Sequence, residues 1–142
     1  MRANLKKYHN TNHQSSLLAA DPHRVIQMLM QGLVDSLAVA KGCLLRKDFE
    51  GKSKSLNKAI GIIVGLQDGI DMKQSPEIGE NFYQLYDYMI RRLGEASADQ
   101  TGEQIDEVVS LIVPIKEAWE GISEADKARA EQMRAAQNST AL

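Results

Sequence analysis

The sequence predicts an all-α protein: an antiparallel four-helix bundle with a mobile N-terminal arm and a frayed C-terminal helix or tail. Two helix starts are marked by a capping side chain followed by proline, at Asp21-Pro22 and Ser75-Pro76. Apolar residues recur in steps of three and four, whereas the strict alternation of a β-strand is almost absent. Amphipathic helices with short connections pack most simply as an antiparallel bundle.

The apolar stripes define helices over about 22–47, 49–71, 76–96 and 102–122. The stripes contain Ile26, Leu29, Leu33, Leu37, Ala40 and Leu44 in the first helix, Leu56, Ala59, Ile63, Leu66 and Ile70 in the second, Ile78, Phe82, Leu85, Met89, Leu93 and Ala96 in the third, and Ile105, Val109, Ile112, Ile115, Trp119 and Ile122 in the fourth. Thr101 and Gln104 have the spacing of a capping box at the start of the fourth helix. Pro114 predicts a kink within that helix.

Two end segments fall outside the predicted bundle of residues 21–122. Residues 1–20 form a polar, basic arm whose apolar anchors include Tyr8 and Leu17. Residues 123–142 are rich in alanine and poor in large apolar side chains, which is typical of a frayed, exposed helix.

Composition excludes several classes of protein. The 17 basic and 19 acidic side chains give a net charge of −2, which does not favour nucleic-acid binding. The single cysteine, Cys43, cannot form an intramolecular disulfide. The longest uncharged apolar stretch, 25–34, is about half of the ~20 residues that a bilayer requires. Since the N-terminus also lacks the apolar core of a signal peptide, we expect a cytoplasmic protein that does not insert into membranes.

Catalytic and metal-binding patterns are missing from the sequence. The Glu-x-x-His pairs of di-iron bundles are absent, and His9, His13 and His23 all lie in the arm or at the first helix start. The sequence contains neither a phosphate-binding glycine loop nor a Gly-x-Ser-x-Gly elbow. We therefore expect no enzymatic activity, no cofactor and no metal.

Apolar residues exceed what one core stripe requires. On the second helix, Ile62 lies beyond one edge of the stripe, and Ile60 and Val64 lie beyond the other. On the third helix, Tyr83, Tyr86 and Ile90 widen the stripe on one side. Either the arm covers this surface or a partner helix or peptide does, and an arm that leaves when the partner binds would satisfy both interpretations. The predicted partner-binding residues are Tyr8, Leu17, Ile60, Ile62, Val64, Leu66, Tyr83, Tyr86 and Ile90.

Three glycines recur at every fourth residue of the second helix, at Gly61, Gly65 and Gly69. Each weakens the helix by about 0.5–1 kcal/mol relative to alanine. They are either tolerated surface residues or positions where a bound chain approaches closely.

Several motifs resemble the FliS family of flagellar export chaperones. They are Leu85-Tyr86-Asp87-Tyr88-Met89 followed by Arg91-Arg92-Leu93, Asn57-Lys58-Ala59-Ile60 with Leu66, Ala118-Trp119, and the start of the first helix from Pro22-His23 to Gly32-Leu33. Tyr8 stands where that family has its N-terminal tyrosine, and the resemblance covers about residues 8–122.

The resemblance implies a bacterial cytoplasmic bundle that binds the disordered C-terminal segment of flagellin in apolar grooves. Such a chaperone prevents premature filament polymerisation and delivers flagellin to the export gate of the flagellar type III secretion apparatus. It also implies that the tyrosine-bearing arm covers one groove when that groove is empty.

Two other classes remain as alternatives. A structural or self-associating bundle would use the extra apolar surface as its own interface. A histidine phosphotransfer bundle needs an exposed histidine in mid-helix, and His23 at a helix start is poorly placed for that role.

Overall fold

The structure is a computed structural model that describes residues 21–140, with side chains described through residue 137. It contains the helices α1 (Pro22–Leu45), α2 (Phe49–Asp68), α3 (Pro76–Ala98), α4 (Glu103–Glu120) and α5 (Glu124–Thr140). The all-α prediction is confirmed for this part of the chain. The predicted arm, with Tyr8 and Leu17, lies outside the described residues.

Side-chain caps set the starts of the first two helices. The Asp21 carboxylate accepts the Arg24 backbone N–H at 3.2 Å, and the Asp48 carboxylate accepts the Gly51 backbone N–H at 3.0 Å. Between these helices Lys47 has a left-handed φ of 59°. This conformation ends α1 two residues before the predicted boundary at residue 47.

The predicted capping box at the start of α4 is wrong. The N-cap is Gly102, whose φ of 74° favours glycine, and Thr101 precedes it. The Gln104 side chain instead donates to the Asp99 carboxylate at 2.6 Å, and buried Lys52 donates to the Asp99 carbonyl at 2.7 Å. The hydrogen bond from Gln104 is the main cause that lowers the pKa of Asp99. This carboxylate, rather than a threonine cap, organises the α3–α4 turn.

Helices α1 to α4 surround one apolar core. Helix α1 packs against α2 and α4, and α3 packs against the same two helices. Contacts between the start of α1 and the end of α4, and between the end of α1 and the start of α4, show that these two helices run in opposite directions. The core residues are Met30, Leu33, Leu37, Ala40, Leu56, Ala59, Ile63, Leu66, Tyr86, Met89, Leu93, Ala96, Ile105, Val108 and Ile112.

The core-facing stripe of α3 differs from the prediction in its first half. Ile78 and Phe82 are 57% and 36% exposed, whereas Tyr86 is 4% exposed and belongs to the core. Helix α3 carries apolar residues on both sides of its core face, so spacing alone could not show which stripe its neighbours cover. The side chains of Ile78 and Phe82 are consequently available at the surface.

The glycines at every fourth residue of α2 differ in their distance from α1. A Cβ atom at Gly69 would lie 3.3 Å from Cδ1 of Ile26, whereas a Cβ atom at Gly61 would meet no atom within 4 Å. The close approach at Gly69 is therefore made by α1, and Gly61 faces open space.

Helix α5 begins with a side-chain cap, because Ser123 Oγ accepts the Asp126 backbone N–H at 3.2 Å. It lacks extensive packing against α1 to α4, and most of its described side chains are exposed. Its fraying remains a prediction.

By length and hydropathy alone, α1 could cross a membrane. Leu33, Leu37 and Ala40 of this helix are fully buried between helices. Their place in the core accounts for part of this hydropathy, and the absence of membrane insertion remains a prediction.

Candidate partner-binding surfaces

An apolar groove of about 310 Å³ lies between the first half of α3 and the second half of α4. We call it the α3–α4 groove; its lining residues are Phe82, Pro114, Ile115, Ala118, Trp119 and Ile122. Ile78, one turn before Phe82 on α3, is also more than half exposed. The groove is open and lacks charged side chains in its lining, so it suits an apolar segment of chain.

Pro114 lies in the wall of this groove, on the exposed side of α4. Helix α4 continues through it from Glu103 to Glu120. Because proline has no backbone N–H, the carbonyl of exposed Ser110 loses its helical donor. The proline thus weakens the helix at the position where its ring contributes to the groove.

Trp119 connects the groove to the start of α1. Its indole Nε1 donates to the His23 carbonyl at 2.9 Å, and His23 Nε2 donates to the Trp119 carbonyl at 2.8 Å. The two rings are stacked, with centroids 4.7 Å apart and an angle of 8° between their planes. His23 Nδ1 is buried and has no hydrogen-bond partner among the described residues. Because Nε2 is hydrogen-bonded and Nδ1 is buried, neither His23 nitrogen is accessible as a phosphoacceptor in this geometry.

A second apolar surface lies where α2 meets α3. Gln67 donates to the Asp87 carboxylate at 3.0 Å and to the Tyr83 carbonyl at 3.1 Å, which fixes the register of the two helices. Val64 lies one turn before Gln67, and Ile90 lies one turn after Asp87, so the antiparallel register places them at nearby levels. We call the set Ile60, Val64, Tyr83 and Ile90 the α2–α3 seam.

The residues of this seam are partly accessible. Val64 and Tyr83 are 42% and 41% exposed, and Ile60 and Ile90 are half-buried against the core. Four of the nine residues that the sequence predicted for partner binding thus belong to this seam, and their role in binding stays a prediction.

The other predicted residues lie elsewhere. Leu66 and Tyr86 are core residues, 3% and 4% exposed, so their placement on an accessible surface is corrected. Both share the core face of their helices, and burial raises the pKa of Tyr86. Ile62 lies on the opposite edge of α2, where a Cβ atom at Gly32 of α1 would be 3.5 Å from its Cδ1.

A third, more polar depression of about 260 Å³ lies between α1 and α4. Its lining residues are Arg24, Gln27, Met28, Gln31 and Glu120. Charged and amide side chains make it a poorer match for an apolar segment than the α3–α4 groove.

Sequence reasoning missed the α3–α4 groove because it assigned Phe82, Ile115, Trp119 and Ile122 to the core. A signal was nevertheless present. Ile78, Phe82 and Leu85 form an apolar stripe on the α4 side of α3, and Leu111, Ala118 and Ile122 form a matching stripe on the α3 side of α4. Two such stripes on adjacent antiparallel helices predict a shared groove.

Among residues 21–140, no group of His, Cys, Asp or Glu side chains could hold a metal ion. What the fold does offer is open apolar surface between packed helices. These features define an all-helical protein with apolar surface left open between its helices, a surface that suits the helix-in-groove mode of recognition.

Comparison with known proteins identifies the family. The model of the family described as "Flagellar protein FliS" matches residues 4–126, and the chain belongs to this family. It is 40% identical over 119 residues to the flagellar secretion chaperone FliSB of Pseudomonas aeruginosa, covering 84% of this chain and 94% of that one. It is 40% identical over 120 residues to FliS of Salmonella typhimurium, covering 84% and 89% of the two chains, and 34% identical over 122 residues to FliS of Vibrio cholerae, covering 86% and 90%.

These relatives are named flagellar secretion chaperones. The chain is thus a member of a family of chaperones for flagellar export, and a chaperone acts by binding rather than by catalysis. The resemblance inferred from the Leu85–Met89 motif is confirmed.

Proposed function

We propose that this protein is a cytoplasmic export chaperone, an antiparallel four-helix bundle with an N-terminal arm and a C-terminal tail, that binds the disordered C-terminal region of flagellin. By holding this region in apolar grooves it blocks premature polymerisation and supports delivery to the flagellar type III export gate. The observation that carries the proposal is the α3–α4 groove, an apolar surface that α1 to α4 leave open.

The groove and the α2–α3 seam suit a client that binds in more than one piece. They lie on opposite sides of α3, with Phe82 in the groove and Tyr83 in the seam. An amphipathic segment on either surface would bury apolar side chains that otherwise face water. A disordered client loses conformational entropy on binding, so part of the gross interaction energy is offset by ordering.

Covering the client's apolar residues explains how binding would block polymerisation. A terminal segment held by the chaperone is unavailable to a second flagellin molecule. Tyr8 and Leu17, in the proposed arm, would occupy one surface until the client displaces them.

Calorimetric titration of the full chain with a synthetic peptide of the C-terminal segment of flagellin from the same bacterium tests this proposal. We expect one-to-one binding. Val64→Lys in the seam and Phe82→Lys in the groove should each weaken binding about tenfold or more, because each places a charge in a desolvated contact.

Val39→Lys is the matched control. Val39 is 54% exposed on α1, outside both surfaces, so its substitution should leave the affinity unchanged. Absence of binding by the wild-type chain would contradict the proposal. A stable dimer in light scattering, unchanged by the peptide, would favour the self-associating bundle instead.

A further inference from the structure

We propose that His23 is a positioning residue that holds the Trp119 indole in place as a wall of the α3–α4 groove. The start of α1 and the groove would then be joined by the same His23–Trp119 contacts, which we call the clamp. The inference rests on the proposed function only in naming the groove's occupant; the clamp itself is a property of the free protein.

Three contacts make the clamp reciprocal. Each residue donates one hydrogen bond to the backbone carbonyl of the other, at 2.8 Å and 2.9 Å, and the rings stack between them. The two bonds fix the position and tilt of the indole with respect to α1. Trp119 belongs at the same time to the groove lining, so its orientation helps set the shape of the groove.

The clamp also stabilises a helix end. The Trp119 carbonyl lies in the last turn of α4, where carbonyl groups lack i+4 donors within the helix, and it accepts the Ile122 backbone N–H at 3.3 Å. The imidazole N–H of His23 adds a further and shorter hydrogen bond, at 2.8 Å, from another helix. Of the two ring nitrogens, only Nε2 is used, since Nδ1 is buried and unpaired among the described residues. A side chain that places one N–H donor at the Nε2 position should therefore preserve much of the positioning of the Trp119 indole.

The clamp lies three residues after residue 20, because His23 is the second residue of α1. A displacement of the start of α1 should therefore move the Trp119 side chain of the groove wall, because these contacts join the two. The position of the start of α1 and the affinity of the groove for its occupant should consequently be coupled.

Trp119 is the only tryptophan of the chain, so intrinsic fluorescence reports on the clamp without labelling. We compare the wild type with His23→Ala, which removes the ring and the donor, and His23→Gln, whose amide nitrogen reaches the Nε2 position. Val39→Ala on the same helix is the control. In H23A the emission should shift to longer wavelength and acrylamide should quench it more strongly. H23Q should recover part of both signals, and V39A should match the wild type.

The second measurement is the affinity for the flagellin peptide, with circular dichroism to show that each variant is folded. H23A should bind about three- to tenfold more weakly, the effect of losing one ordinary hydrogen bond and the stacked ring that hold a binding surface, since alanine keeps the carbonyl that accepts from Trp119. H23Q should lie between H23A and the wild type. Partial rescue by glutamine distinguishes positioning through Nε2 from a general loss of packing.

Unchanged Trp119 emission and quenching in H23A would overturn the proposal, as would altered fluorescence with unchanged affinity. An H23Q variant indistinguishable from H23A would rule out the Nε2 hydrogen bond as the cause. If the wild type binds no flagellin peptide, the proposed function fails, and the fluorescence of the free variants alone decides the clamp.

Discussion

Glu107 connects α3 to α4 two turns before the groove residue Pro114. Its carboxylate accepts hydrogen bonds from the Tyr88 hydroxyl at 2.7 Å and from Arg92 Nε at 2.8 Å, while Arg92 also pairs with Glu95 at 2.6 Å. The bond from Tyr88, followed by that from Arg92, lowers the pKa of Glu107. The same bond raises the pKa of Tyr88. The ionised carboxylate is thus favoured by folding.

This network predicts a pH dependence of stability. Because the pKa of Glu107 is lower in the folded state than in the unfolded chain, its contribution is present above the ordinary glutamate pKa of about 4.3 and is lost as the pH falls through the lowered value. Glu107→Gln should therefore lower the thermal midpoint at neutral pH, and the difference from the wild type should shrink below about pH 4.

Thermal unfolding followed by circular dichroism between neutral and acidic pH measures this difference. Glu117→Gln is the control, because Glu117 is exposed on the same helix and its side chain forms no ion pair with any described residue. A constant difference between E107Q and the wild type across the whole range would contradict the prediction.

Helix α4 combines a weakened backbone with the wall of the proposed binding groove. Proline in a helix interior costs about 3 kcal/mol relative to alanine, through the missing donor and the clash with the preceding turn. Pro114 is exposed and lines the α3–α4 groove. The stability of α4 therefore favours another residue at position 114, whereas the shape of the groove favours proline.

Pro114→Ala should raise the free energy of unfolding by about 1–3 kcal/mol, because it restores the N–H donor toward the Ser110 carbonyl. It should also weaken flagellin-peptide binding about two- to fivefold, because the shorter side chain removes part of an apolar wall. Urea denaturation and calorimetry measure the two effects.

Val113→Ala, on the same turn but outside the groove lining, is the control for P114A. It should not increase stability and should leave the affinity unchanged. A P114A variant that is no more stable than the wild type would show that the fold has already compensated for the proline.

The helices illustrate what local sequence can and cannot specify. The starts of α1 and α3 were predictable because Asp21-Pro22 and Ser75-Pro76 are local signals, although Ser75 forms no side-chain cap bond. The exposed part of the seam was predictable as well, because Val64 and Tyr83 lie outside the core stripe on any straight helix.

The start of α4 and the inner face of α3 were not predictable in the same way. Gln104 bonds to Asp99 rather than forming a capping box, since a competing carboxylate five residues away is brought near by the turn. Tyr86 enters the core in preference to Phe82 because the neighbouring helices, not the spacing, select one of two apolar stripes. The groove is a property of two helices together, which single-helix periodicity cannot reveal.

The molecule as a whole has open apolar surfaces and almost no net charge. Its 17 basic and 19 acidic residues balance to −2, and the α3–α4 groove has no charged lining residue. Several of its ionised groups pair with each other, as Lys41 does with Asp106 and Lys116 with Glu120. Long-range electrostatic attraction should therefore contribute little to client binding.

The affinity for the flagellin peptide should consequently depend weakly on ionic strength. Raising salt from ~0.1 M to ~1 M shortens the Debye length from about 10 Å to about 3 Å, which would strongly weaken a charge-driven complex. If the client binds as proposed, the dissociation constant should change by less than about threefold, because burial of apolar side chains would provide most of the driving force. The heat capacity change of binding should be negative, on the order of several tenths of a kcal/mol per kelvin, as apolar surface leaves water. Titrations at two salt concentrations and several temperatures measure both quantities. A tenfold or greater loss of affinity with salt, or a heat capacity change near zero, would show that charged contacts rather than the apolar grooves hold the client.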